Sequence, residues 1–164
     1  MTGMPIPRAR TTIKDSPDHH DAELVLRLYD LRREAKMREA RSYLGGQFWP
    51  KSAEELLALA SHEHPQNILW RQVTGYWEMA YGMAKHGIVN PDYLAESSSE
   101  GLFLFAKVQP WLAELRSQHS SRALLNTEWI ATECSAGRAL FAYYRELVQK
   151  RMQESGVRSQ GRNG

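Results

Sequence analysis

Two short clusters in the sequence contain the residue types that bind metal ions. His19 and His20 stand between two aspartates, and His62 and His64 flank a glutamate. Neighbouring residues on a helix point about 100° apart, so His19 and His20 cannot both face one ion. We therefore expect exposed histidines at a helix start and in a loop, with no metal site and no cofactor.

Residues that could transfer a proton or act as a nucleophile are also present. Glu78, Glu128 and Glu133 would become acids or bases if apolar surroundings raised their pKa, but no nucleophile is paired with them. Cys134 lies in a regular apolar stripe, where a thiol packs as a small hydrophobic group. Phosphate-binding glycine loops, the Gly-x-Ser-x-Gly elbow and His-Glu-x-x-His are missing from the sequence. The sequence therefore favours a protein without enzymatic activity.

Ligand binding is indicated by the unusual composition of residues 70–81. Four large aromatic residues and one methionine occupy three helical turns. Such rings could line a pocket for an apolar or aromatic ligand, although the same spacing is typical of a buried core. The candidate pocket residues are Trp70, Arg71, Tyr76, Trp77, Glu78 and Tyr81.

Residues 32–41 form a basic run with five cations and two anions. A run of this kind could dock on an acidic protein partner or on phosphates. It contains no aromatic residues that could stack on bases, which makes nucleic acid an unlikely partner. The candidate partner-binding residues are Arg32, Arg33, Lys36, Met37, Arg38 and Arg41.

Charge is distributed unevenly along the 164 residues. The net charge is +2, but residues 1–14 carry +3 and residues 150–164 carry another +3, so the part between them carries −4. This charge distribution argues against a basic body that binds nucleic acid. The single cysteine, the lack of a membrane-spanning run and the lack of a signal-peptide segment predict a cytoplasmic protein.

Apolar residues recur at helical spacing through the whole body, and no strand pattern is visible. In the first predicted helix the apolar stripe changes sides, which predicts a bend near Lys36 or a second buried face. Pro110 predicts a kink or break near Gln109. The predicted helices run from Ser16 to the Gly45 and Gly46 pair and over about 52–61, 67–86, 91–96, 100–117 and 126–152.

These elements predict an all-α fold, an antiparallel bundle of about four main helices plus short helical turns, with flexible basic termini. Residues 1–15 are predicted to be a flexible basic arm, 16–154 a single helical domain and 155–164 a flexible tail. The segments 28–34, 70–73 and 76–79 resemble those of a family of short, uncharacterised bacterial helical proteins, over about residues 22–148. This resemblance implies no activity and no functional residue.

The leading functional hypothesis is a non-enzymatic helical protein that acts through protein contacts, as a homo-oligomer or an accessory subunit. Surplus apolar surface on the first and third helices and cationic arms on an acidic body support it. One alternative is a small-molecule-binding or catalytic bundle with an aromatic pocket around Trp77 and Glu78. A weaker alternative is nucleic-acid binding through residues 32–41 and the tails.

Overall fold

A computed structural model describes residues 13–160, with side chains up to Ser155. Every regular element in this range is helical, which confirms the predicted all-α class. The α-helices are α1 His19–Leu31, α2 Ala35–Ser42, α3 Ala53–Ala60, α4 Asn67–Lys85, α5 Pro91–Ser97, α6 Glu100–Val108, α7 Leu112–Gln118, α8 Leu125–Glu133 and α9 Ser135–Gln160. A π-helical turn, Tyr43–Gln47, follows α2, and a 3₁₀ turn, Gln109–Trp111, joins α6 to α7.

Helix α4 is the element around which the bundle packs. It contacts α2, α3, α5, α6 and α8, while α9 packs against α5, α6 and α8. The largest fully buried side chains include Trp77 and Tyr81 of α4, Phe105 of α6 and Met37 of α2. Among residues 13–160, no helix combines the length and apolarity needed to cross a bilayer.

The first predicted helix is divided into two in the structure. It begins at His19 rather than after Ser16, because Asp18 and Asp21 accept hydrogen bonds from each other's backbone N–H, both at 3.1 Å. It breaks after Leu31, where the apolar stripe changes sides, and α2 restarts at Ala35. The bend that the stripe predicted is therefore present, a few residues before Lys36.

Local signals located the middle of the fold well. Helix α4 ends where predicted, with Gly87 in the left-handed region at φ 73°. Asn90 caps α5 by accepting a hydrogen bond from the Tyr93 N–H, with Pro91 in the first turn. The break predicted at Pro110 is the 3₁₀ turn between α6 and α7.

The prediction of one continuous helix from about residue 126 to 152 is wrong. Cys134 has an extended backbone, φ −100° and ψ 146°, and separates α8 from α9. The first N–H groups of α9 are bound there, since Asp92 Oδ1 accepts from the Ala136 N–H at 2.7 Å and Cys134 Sγ accepts from the Gly137 N–H at 3.1 Å. A carboxylate from α5 thus supplies the cap that starts a new helix.

Both predicted termini lie partly outside the described residues. Of the arm 1–15, only residues 13–15 are described, and Lys14 donates from Nζ to Asp21 at 2.8 Å while its carbonyl accepts from Asn90 Nδ2 at 2.8 Å. Of the tail 155–164, residues 155–160 continue α9 as helix. Residues 1–12 and 161–164 are not described.

Replacing Asp92 by alanine should lower the free energy of unfolding by about 1–2 kcal/mol, because α9 loses the carboxylate that caps its first turn. Urea unfolding followed by circular dichroism measures the change. Asp92→Asn is the matched control, since its amide oxygen still accepts a hydrogen bond, and it should lose less than half as much. Equal losses in the two variants would show that the cap does not depend on an acceptor.

Candidate anion-binding cleft

The basic run and the aromatic helix, which are separate in the sequence, meet at Arg32. This residue follows the last turn of α1 and is only 8% exposed. Its guanidinium carbon lies 4.8 Å from the ring centroid of Tyr29 and 5.7 Å from that of Trp77. Cation–π contacts of this kind partly offset the cost of moving a cation out of water.

The side chain of Arg32 has no polar partner among the described residues. Its Nε is buried without a hydrogen-bond acceptor, and no carboxylate pairs with the guanidinium. The Nε1 of Trp77 is a second buried donor without an acceptor in the described part of the chain. A buried N–H without an acceptor costs about 1–3 kcal/mol, so the fold keeps these two donors unpaired at a cost to its stability.

Arg32 borders an open cleft of about 350 Å³. The end of α5, the connection to α6, the first turn of α6 and one residue of α9 form the rest of its wall. The hydroxyl groups of Ser99 and Tyr144 lie 2.7 Å apart there and share one hydrogen bond. The lining residues are Arg32, Ser97, Ser98, Ser99, Glu100, Phe103 and Tyr144.

Glu100, the acidic residue in the cleft wall, is already neutralised by Arg41. The Arg41 Nε donates to both carboxylate oxygens, at 2.9 and 2.8 Å, and Nη2 donates to Oε2 at 2.6 Å. Hydrogen bonding to Glu100 raises the pKa of Arg41. The pair removes the charge that would otherwise repel an anion, and Arg32 is left as the uncompensated charge in the wall.

Two tyrosines of α4 hold the walls of the cleft in place. Tyr76 donates its hydroxyl proton to the Leu28 carbonyl at 2.5 Å, and Tyr81 donates to the Ser98 carbonyl at 2.9 Å. Burial raises the pKa of Tyr76 to about 12 and that of Tyr81 well above its ordinary value. Both phenols stay protonated at neutral pH, so they position backbone atoms and do not serve as bases.

The six predicted pocket residues do not form one pocket, and that prediction needs correction. Trp77 and Tyr81 stack on each other in the core, at 1% and 0% exposure. Glu78 accepts from the Asn126 N–H, the Thr127 N–H and the Thr127 hydroxyl, so it caps α8. Trp70, Arg71 and Glu78 instead border a separate groove of about 210 Å³.

The six predicted partner-binding residues also divide. Met37 is 2% exposed and belongs to the core, so Met37 and the buried Arg32 are not on an outer face. Lys36 pairs with Glu39 at 3.1 Å, and Arg41 is occupied by Glu100. Arg33 and Arg38 remain exposed without an ion pair in the described part of the chain.

Sequence reasoning missed the rest of the cleft wall. No sequence pattern assigned Ser97, Ser98, Ser99 or Tyr144 to a site. A run of three serines between two helices is a weak signal for exposed hydroxyl groups, and nothing in the neighbouring sequence shows that it faces Arg32.

Burial raises the pKa of Cys134 to about 11, which agrees with its interpretation as a packed thiol. Residues 13–160 contain no group of three metal-ligating side chains.

Comparison with known proteins gives a family and no activity. Neither a curated protein nor a solved structure matches the chain. One family model, described as a domain of unknown function, DUF4760, matches residues 17–134. The match confirms the resemblance to an uncharacterised domain family and contains α1 to α8 with Arg32, the three serines and Glu100. Because it covers well over half of the 164 residues, the chain belongs to the DUF4760 family.

Proposed function

We propose that this protein is a non-enzymatic binding protein, which acts through contact with another protein and holds an anionic group of that partner against Arg32. The observation that carries the proposal is the Arg32 side chain, which is 8% exposed, has no polar partner among the described residues and lies at the wall of an open cleft. Arginine binds carboxylates in two parallel hydrogen bonds, and a desolvated site strengthens them. The hydroxyl pair of Ser99 and Tyr144 uses one proton in its own hydrogen bond and leaves one further O–H donor beside Arg32.

The surroundings of the cleft favour a protein as the source of the anion. Tyr29, Leu31 and Leu26 on α1 are 55%, 51% and 67% exposed, and Arg33 is exposed next to them. Exposed apolar groups beside an unpaired cation are typical of a protein contact with a polar rim. Nucleic acid is less well supported, because the ion pairs of Lys36 and Arg41 and the burial of Arg32 leave few cations of the run for phosphates.

The single cysteine supports a cytoplasmic location as part of the same proposal. Cys134 is buried and forms no disulfide. Proteins of oxidising compartments commonly contain disulfides, and cytoplasmic proteins seldom do.

Replacing Arg32 by glutamine should abolish anion binding and leave the fold intact. Nuclear magnetic resonance of the arginine Nε–H groups, with acetate and inorganic phosphate as probes, should move the Arg32 signal in the wild-type protein. Arg32→Gln lacks that signal, so the backbone amide shifts of Ser98 and Ser99 report the affinity in both proteins. In the variant it should fall at least about tenfold, while the free energy of unfolding stays equal or rises by about 1 kcal/mol. Arg38→Gln, an exposed cation in the same run, should change neither quantity. A large loss of stability in Arg32→Gln would assign Arg32 a structural role instead.

The partner can be captured from the side of the cleft. A photo-reactive p-benzoylphenylalanine in place of Tyr29, whose ring lies beside the Arg32 guanidinium, should form one dominant cross-linked product in the native cells. A mass of twice the chain identifies self-association, and any other mass gives the accessory partner by mass spectrometry. The same experiment with Arg32→Gln should lose the product. Products that do not depend on Arg32, or no product at all, would contradict the proposal.

A further inference from the structure

An open groove with mainly apolar walls lies away from the Arg32 cleft. It has a volume of about 520 Å³ and runs between the second half of α9, the 3₁₀ turn and the segment before α3. Trp49, Trp111, Val148 and Met152 give it a mainly apolar wall. A volume of this size, with apolar walls and few charges, is what a drug-sized ligand requires.

The charged groups at the groove have one sign. Lys107 and Arg145 line it, the lining includes no acidic residue of the described chain, and the Arg151 guanidinium lies 4.2 Å from the Trp49 ring centroid. Lys107 is 2% exposed, and its Nζ donates to the carbonyls of Leu44, Gly45 and Phe48 at 2.6, 3.0 and 3.1 Å. The Nζ of Lys107 is thus occupied by backbone carbonyls, and Arg145 is the lining cation that can turn to a ligand.

Arg145 has the freedom to do so. It is exposed, forms no ion pair with the described residues, and its guanidinium carbon lies 5.7 Å from the Phe141 ring centroid. Its charge stands at the polar edge of a surface whose floor is tryptophan, valine and methionine. A ligand that complements this arrangement has an apolar body and one negatively charged end.

We propose that this groove is a second binding site, specific for a small apolar carboxylate, whose apolar body lies against Trp49, Trp111 and Met152 and whose carboxylate pairs with Arg145. The ligand can be aliphatic or aromatic, because the wall offers both ring faces and a flexible thioether. The site is independent of the proposed contact at Arg32, since the two share no lining residue.

Isothermal titration calorimetry of the full chain tests this site, with dodecanoate and indole-3-propionate as probes and dodecanol as the uncharged control. We expect at least one carboxylate to bind the wild type, and Arg145→Gln to weaken it about tenfold without affecting dodecanol. Met152→Glu, which places an acid in the groove, should abolish carboxylate binding. Arg138→Gln, earlier on α9, should leave it unchanged, and the titrations are repeated in Arg32→Gln to exclude carboxylate bound at the other cleft.

Three results would overturn the proposal. They are no binding of either carboxylate at millimolar concentration, equal affinity for dodecanoate and dodecanol, and equal binding by the wild type and Met152→Glu. Loss of binding in Arg32→Gln would move the carboxylate to the other cleft. Because Arg145 and Met152 do not line the Arg32 cleft, Arg145→Gln and Met152→Glu test the groove alone, and failure of one site leaves the other assessable.

Discussion

Replacing Gly137 by alanine should destabilise the protein by about 3 kcal/mol or more, among the largest effects expected of a single methyl group. A Cβ at this position would lie 2.0 Å from the Ile130 carbonyl oxygen and 2.7 Å from Cys134 Sγ. The carbonyl belongs to the backbone of α8, so the strain can be relieved only by moving α9 away from α8. Thermal unfolding should show a fall in Tm of about 10 °C, given the size of the domain.

Gly75 provides the matched control within the same fold. It lies on the exposed side of α4, and nothing in the described chain comes within 4 Å of a Cβ built there. Gly75→Ala should therefore raise the free energy of unfolding by about 0.5–1 kcal/mol, because alanine loses less backbone entropy in a helix than glycine. Similar losses in both variants would mean that α8 and α9 do not approach each other closely at Gly137.

The break between α8 and α9 was not visible in the sequence, because the apolar stripe continues through it. Ile130, Cys134 and Gly137 continue one apolar stripe, and that spacing predicts a single helix. The carboxylate that starts the second helix comes from elsewhere in the chain, since Asp92 on α5 caps α9 just after the break at Cys134. Sequence patterns reveal the caps of α1, α3 and α5, because their acceptors lie within a few residues of the N–H groups they bind. They cannot reveal a cap that another helix supplies across the bundle.

The candidate cleft was predictable only in part, because it also depends on contacts between residues far apart in the sequence. Composition singled out both the basic run and the aromatic helix, and the structure brings Arg32 of the one against Trp77 of the other. Which of the five cations would be buried could not be read from a run that looks uniformly solvated. The ion pair of Arg41 with Glu100 joins residues 59 positions apart, and the serine wall belongs to a connection without periodicity.

The buried, unpaired Arg32 also bears on how function is distributed in this fold. Met37, Trp77 and Tyr81 are buried beside it, so the surrounding core is apolar and offers the guanidinium ring faces but no acceptor. A cation kept at a cost to stability is more readily explained by recognition than by folding. Arg41 and Lys107 differ in this respect, since both are provided with acceptors from the chain itself.

The stability contributed by Lys107 should depend on pH more strongly than that of any other lysine. Burial, and secondarily Arg151, lower the pKa of Lys107 to about 7 in the folded protein, against 10.5 in the unfolded chain. Between these values the unfolded chain holds the extra proton, so the free energy of unfolding rises with pH. The gain is complete above pH 10.5 and is lost as pH falls towards 7. From pH 7 to 9 it should amount to about 2 kcal/mol.

Comparison with Lys107→Met isolates this effect from other titrations. Methionine cannot donate to the carbonyls of Leu44, Gly45 and Phe48, which end α2 and its π-helical turn, so the variant should be less stable by about 2 kcal/mol at pH 9. The difference should become small near pH 6, where the wild type bears the cost of a buried ammonium. Urea unfolding at pH 6, 7, 8 and 9 measures both curves, with Lys150→Met, an exposed position, as control.

Because Cys134 titrates in both proteins, its opposite effect on stability above pH 9 cancels in the difference. If the difference between wild type and Lys107→Met stays constant with pH, the three carbonyls and the Trp49 and Phe103 rings hold the ammonium charged throughout.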